Sequence, residues 1–223
     1  MNAAADRPPV RTFKPRRRPI SATRAARFER LEPLWCLDEV GETLDPIEVF
    51  GRAAPLVFEI GIGAGESLTS AAAADPDSDL IGADVHTPGV AATLARIDSM
   101  GLTNVRLLHG DAMVFVERLA PYSLAGIRIF FPDPWPKARH RHRRITSPAN
   151  VDRLVSLLEP GGTLHIATDI DDYAESTRLA CCAHPELDGG VVDRPEWRVV
   201  TRYESKGIEA GRTVTDLIYR RIG

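Results

Sequence analysis

Apolar residues in this chain come in short runs separated by stretches with helical spacing, and the alternation starts near residue 55. Runs at Leu56–Ile60, Asp79–Asp84, Val105–His109, Gly126–Phe131 and Thr163–Thr168 read as strands. Between them, Val90, Leu94 and Ile97 recur at helical spacing and stop at Gly101, a suitable C-terminal cap. Val151, Leu154, Val155 and Leu158 form a second helical stripe, predicted to open at Ser147-Pro148 and close at Pro160-Gly161-Gly162. A further helix is predicted near residues 171–182, then strands at Trp197–Tyr203 and Thr213–Arg220. Seven strands, the last two consecutive, predict an α/β fold: an open, doubly wound, mostly parallel sheet with an antiparallel hairpin-like end.

Composition adds boundaries. Residues 1–20 are rich in Arg and Pro, with Arg16-Arg17-Arg18 between Pro15 and Pro19, and read as a disordered basic arm. Residues 21–50 read as a helix-and-turn lead-in broken at Gly41 and Pro46, and residues 51–223 as one domain. There is no run of eighteen apolar residues, no secretory leader and no CxxC among the three cysteines. The expectation is a cytoplasmic protein without a membrane span, disulfide framework or metal site. The formal net charge of −3 conceals an uneven distribution. Residues 1–30 hold nine Lys/Arg against two acids, and Lys137–Arg144 holds five Lys/Arg and two His in an otherwise acidic body. Such local fields suit a polyanionic partner, although a solvated tail and loop would show the same pattern.

In an open α/β sheet, ligands bind beyond the carboxyl ends of the strands, so the residues that follow each strand carry the information. The first strand runs into Glu59-Ile60-Gly61-Ile62-Gly63-Ala64-Gly65. Its spacing is neither the phosphate-cradling GxxxxGK[ST] nor the dinucleotide GxGxxG. An acid two residues before the first glycine suits a cationic amino-acid moiety, and S-adenosylmethionine carries an ammonium and a sulfonium where NAD carries a pyrophosphate. Asp84 ends the second strand at the distance where a ribose diol finds its carboxylate, and Asp111 after the third is placed to reach an adenine edge. A lone strand-end Asp is more often a helix cap than a ligand contact; three in register favour the ligand. The fourth strand leads into Phe131-Pro132-Asp133-Pro134-Trp135-Pro136-Lys137, a proline-stiffened loop whose aromatic and carboxylate suit a planar base.

These residues resemble the bacterial tRNA (guanine-N7)-methyltransferases over about residues 55–221. The likeness rests on the glycine motif with Glu59, Asp84–Val90, Phe131–Lys137 with Arg139-His140 and Arg143-Arg144, Thr168-Asp169 with Tyr173, and Thr201-Arg202-Tyr203-Glu204 with Gly207, Gly211 and Asp216-Leu217. The resemblance implies a Rossmann-like class I methyltransferase that uses S-adenosylmethionine on the guanosine at position 46 of the tRNA variable loop. It implies that Glu59, Gly61, Gly63, Asp84, Asp111 and Asp133 line the donor site, with Asp133 also catalytic. Lys137, Asp169, Thr201, Arg202, Tyr203 and Glu204 would contact tRNA. No obligatory protein partner is expected, and the chain would act as a monomer or homodimer. Three positions depart from the family pattern: Asp84 for Glu, Ala138 for a second Lys, and Tyr203 for Phe. The rival readings are a methyltransferase of another RNA or a small molecule, a silent RNA-binding subunit, and an NAD-dependent oxidoreductase.

Overall fold

The structure, a computed structural model, describes residues 11–13 and 19–223. The expectation of disorder over residues 1–20 therefore falls largely outside the described residues. Helix α1 (Ala22–Trp35) leads into a two-residue strand β1 (Cys36–Leu37) and the short helix α2 (Pro46–Phe50). Five strand–helix units follow: β2 (Leu56–Ile60) with α3 (Glu66–Ala74), β3 (Asp79–Asp84) with α4 (Thr87–Met100), and β4 (Val105–His109) with α5 (Ala112–Phe115). The remaining two are β5 (Leu124–Phe130) with α6 (Pro148–Val155), and β6 (Leu158–Thr168) with α7 (Asp171–Cys182). The chain then forms β7 (Leu187–Val192), α8 (Arg202–Glu209) and β8 (Thr215–Arg221).

The strands make one sheet in the order β1-β4-β3-β2-β5-β6-β8-β7, parallel except where β8 runs against β6 and β7. Alternate residues serve opposite faces. Leu56, Phe58 and Ile60 join the core formed with α5, α6 and α7, while Val57 joins the one formed with α1, α3 and α4. The stripe Val90, Leu94 and Ile97 is fully buried on the second face, and Gly101 closes α4 in the left-handed conformation. Each such side chain contributes about 1.5–3 kcal/mol by leaving water.

The Rossmann-like expectation holds with local corrections. Helix α6 stops at Val155, and Leu158 pairs with Leu124 in the sheet. Pro160-Gly161-Gly162 lies inside β6, where the register against β5 slips. There a Cβ on Gly162 would stand 2.9 Å from the Leu124 carbonyl. The strand expected at Trp197–Tyr203 is instead an irregular segment followed by α8. Thr201 caps that helix by accepting from the Glu204 N–H at 3.3 Å, and this Ser/Thr-x-x-Glu cap outweighs the apolar pattern before it. The partner of β8 is β7, which the sequence conceals behind Gly189-Gly190. Gly189 sits at φ +146, where a Cβ would meet the Ile218 carbonyl at 2.2 Å. The strand order reverses between β2 and β5, because the chain steps outward through β3 and β4 before returning, and a crevice opens there.

Candidate functional site

The turn after β2 takes its shape from glycines. Gly61 and Gly63 adopt φ +82 and +56, and no atom lies within 4 Å of where a Cβ would stand. The left-handed backbone, rather than crowding, thus calls for glycine there. The Gly61 N–H donates to the Ala83 carbonyl at 2.8 Å, tying the turn to the end of β3. Asp84 holds the same turn: one carboxylate oxygen accepts from the Gly63 N–H and the other from the His86 N–H, both at 2.8 Å. Burial raises the Asp84 pKa, opposed by these backbone hydrogen bonds.

Glu59 is buried on β2, accepts from the Ser67 hydroxyl at 3.2 Å and pairs in register with Arg128 on β5. Burial pushes its carboxyl up to about 7, against the pull of the Arg128 guanidinium. Asp111 caps α5 by accepting from the Met113 N–H at 2.9 Å, and its own N–H donates to Glu39 of the lead-in. Asp111 thus takes the cap role usual for a strand-end aspartate, and it also lines a cavity in the crevice.

A cavity of about 630 Å³ occupies the crevice. Glu59, Gly61, Gly63, Asp84 and Asp111 line one side, and Phe131, Asp133, Thr201, Arg202 and Tyr203 the other. Phe131 and Trp135 hold the loop after β5 in left-handed conformations, φ 52 and 42, unusual for residues other than glycine. Several contacts enforce this. The Phe131 N–H donates to the Ala167 carbonyl at 2.8 Å, and the Tyr203 ring packs 5.2 Å from the Phe131 ring. The buried Trp135 indole donates to the Thr12 carbonyl at 2.8 Å, with the Arg143 guanidinium 4.2 Å over its ring.

Three residues expected to contact tRNA lie outside the cavity lining. Lys137 is exposed and opens a 3-10 turn, Ala138–Arg143. Asp169 pairs with Arg212. Glu204 is corrected from a surface contact to a buried one. It is 2 % exposed and binds the Arg198 guanidinium in bidentate fashion at 2.8 and 2.9 Å. Arg198 also reaches Asp216 at 2.8 Å, and Asp216 binds His165 at 2.7 Å.

The basic run is corrected in the same way at one position. Arg144 is buried, donates to the Pro134 and Asp172 carbonyls at 3.0 and 3.1 Å, and pairs with the Asp172 carboxylate. It clamps the loop onto α7 together with Arg141, which reaches the same Asp172 at 2.7 Å, leaving Lys137 and Arg139 exposed.

Sequence reasoning missed Glu39, Glu66, Ser67 and Arg198. The Thr201-x-x-Glu204 spacing was a usable signal for α8, whereas nothing local marks Arg198 as the partner of Glu204.

Comparison with known proteins identifies the family. The family described as "Putative methyltransferase" matches residues 53–217. A tRNA (guanine-N(7)-)-methyltransferase of Streptomyces coelicolor is 44% identical over 220 residues, covering 96% of this chain and 81% of the relative. The enzyme of the same name from Nitrosospira multiformis is 40% identical over 217 residues, covering 96% and 95%. Among solved structures, the 16S rRNA methyltransferase KamB aligns with a TM-score of 0.58 at 17% identity, covering 82% of this chain and 96% of that one, a likeness of fold alone. Identity of 40–44% along nearly the whole length leads to one assignment: the chain belongs to the tRNA (guanine-N(7)-)-methyltransferase family.

Proposed function

We propose that the protein transfers the methyl group of S-adenosylmethionine to N7 of the guanosine at position 46 in the variable loop of tRNA, in the cytoplasm. The observation that carries this reading is one cavity lined both by the glycine turn with its acids and by the loop of Phe131 and Asp133. The lining fits the donor. Gly61 and Gly63 present open backbone, and the carboxylates of Glu59, Asp84 and Asp111 can accept from an ammonium, a ribose diol and an adenine edge. The Asp84 oxygens each keep a lone pair beyond the backbone bond they already accept.

When bound, S-adenosylmethionine supplies a methyl carbon made electrophilic by the adjacent sulfonium. Guanine N7 attacks with an in-plane lone pair and carries no proton, so the chain needs no general base. Its work is to align the acceptor and to favour the positive charge that the purine gains. Asp133 suits both tasks: its carboxylate can hold the N1–H and amino group of the base and oppose the developing charge. The left-handed backbone at Phe131 turns the chain two residues before Asp133. The Tyr203 ring, 53% exposed beside it, offers a stacking surface for a nucleobase. Exposed Lys137 and Arg139 stand on the same loop, available to phosphates, while Arg141 pairs with Asp172 at 2.7 Å.

The test is purified protein with unmodified tRNA and methyl-labelled donor, followed by nucleoside analysis. Labelled 7-methylguanosine at one variable-loop position is expected from the isolated chain, without a partner protein. Label in another nucleoside, or only in a small molecule, overturns the reading.

A further inference from the structure

Glu66 belongs to both halves of the cavity. It is the first residue of α3, directly after Gly65, and it lines the cavity beside the glycine turn. One of its carboxylate oxygens accepts from the backbone N–H of Arg202 at 2.7 Å, joining positions 136 residues apart. The other accepts from the Arg96 guanidinium at 3.3 Å. Arg202 is the first residue of α8, capped by Thr201. One carboxylate therefore sits at the amino-terminal ends of two helices, where unpaired N–H groups concentrate positive partial charge. Its side chain is only 17% exposed, so solvent screens the arrangement weakly.

Neither end of this bridge has slack. A Cβ on Gly65 would stand 2.5 Å from the Thr93 side chain, so the start of α3 is pressed against α4. At the other end, α8 is fixed to the sheet through Glu204, Arg198 and Asp216 at 2.8–2.9 Å. Tyr203 follows Arg202 directly and packs on Phe131. A displacement at the start of α3 is thus transmitted to the residues that face the acceptor.

We propose that Glu66 is a positioning residue that couples the donor and acceptor halves of the cavity, so that tRNA binds more tightly once the donor half is filled. The proposal rests on the donor and acceptor assignment made above. A ligand that shifts the glycine turn also shifts Glu66 and, through it, the Thr201–Tyr203 segment, so the second ligand meets a segment already set for it. By linkage the effect is reciprocal: tRNA tightens the donor by the same factor.

The experiment measures the affinity of unmodified tRNA with and without saturating S-adenosylhomocysteine, in the wild type, Glu66→Ala and Glu66→Gln. The wild type is expected to bind tRNA at least about threefold tighter with S-adenosylhomocysteine present, and Glu66→Ala to show a ratio near one. Glu66→Gln keeps an oxygen that can accept from Arg202 and should retain most of the ratio. The ratio, rather than either affinity, is the readout, so a general loss of binding does not imitate the effect. A wild-type ratio of one, an unchanged ratio in Glu66→Ala, or a Gln variant as uncoupled as Ala overturns the proposal. Asp84→Ala and Tyr203→Ala identify where it fails. If they leave the separate affinities for S-adenosylhomocysteine and tRNA intact, the underlying assignment has failed rather than the bridge.

Discussion

The two walls of the cavity are built by different means. On the donor wall, the Gly61 N–H donates to the Ala83 carbonyl and the Gly63 N–H to the Asp84 carboxylate, ties between adjacent strand ends. Glu59, Gly61, Gly63, Asp84 and Asp111 all lie within three residues of a strand's end. On the acceptor wall, the Thr201–Tyr203 segment and the Phe131–Asp133 loop depend on buried charges drawn from distant parts of the chain. Arg198, Glu204, Asp216 and His165 form one buried cluster there, and buried Arg144 pairs with a half-exposed Asp172. Ties of the donor-wall kind involve one or two groups at a time, so a single change there removes only those bonds. A buried charge network is all or nothing, because each member left unpaired is costly. Lesions of equal size should therefore do different damage on the two walls.

The largest expected effect follows from removing Arg198. Arg198→Ala strands Glu204 and Asp216, both 2% exposed, without their cation. The expected loss is about 3–5 kcal/mol of folding stability. Chemical denaturation with an unchanged m-value checks it. A variant as stable as the wild type would mean that the acceptor wall does not depend on this network.

Next come the two acids that differ only in their wall. Asp133→Ala should lower kcat by about 10²–10³, because the contacts it offers strengthen as the base gains charge. Asp84→Ala should instead raise KM for the donor with a smaller change in kcat, since its hydrogen bonds exist before and during the reaction. Asp133→Asn separates charge from shape. Steady-state kinetics with independent donor affinities decide the comparison, and near-normal kcat in Asp133→Ala withdraws its catalytic role.

The same division explains what the sequence made legible. Strands β2, β3 and β4 read from their apolar runs with their observed ends, and the residues after them were found by position alone. The acceptor wall was legible only as a motif. Its PDPWPK loop was recognisable, yet nothing local indicated that Arg144 turns inward or that Phe131 and Trp135 take left-handed backbone. The Trp197–Tyr203 run alternates like a strand, but Trp197 packs over Arg128 at 4.2 Å and Arg198 enters the charge cluster. Tertiary pairing overrode the local pattern there.

Glu59 provides a pH test of the donor wall. Its folded pKa, about 7, lies above the ordinary 4.5 because the side chain is buried. A raised carboxyl pKa stabilises the fold fully below the unfolded value, and that contribution is lost as pH rises through the folded one. Glu59→Gln imitates the protonated form at all pH values. Its stability relative to the wild type should therefore grow between pH 5 and pH 8, by up to about 3 kcal/mol. Melting curves across that range check it, and a difference independent of pH shows that Glu59 is ionised throughout.

The smallest effect concerns the basic arm, where charge and contact can be separated. Residues 1–20 hold six Lys/Arg. Among the described residues of the arm, Thr12 and Phe13 line the cavity and the Thr12 carbonyl accepts from Trp135. Replacing Lys14, Arg16, Arg17 and Arg18 with Gln removes charge and leaves Thr12 in the chain. This variant should raise KM for tRNA several-fold and reduce the slope of log affinity against log salt by about 2–3, with kcat and donor affinity nearly unchanged. Deleting residues 1–20 also removes the acceptor of the Trp135 indole, a hydrogen bond worth about 1 kcal/mol, and so loosens the acceptor loop. The deletion, which removes six cations rather than four, should thus lower the salt slope somewhat further than the charge variant and also exceed it in loss of single-turnover rate, by no more than about tenfold. If the two variants behave alike at saturating tRNA, the arm acts through charge alone. A loss well beyond tenfold in the deletion would place the arm within the reaction centre itself.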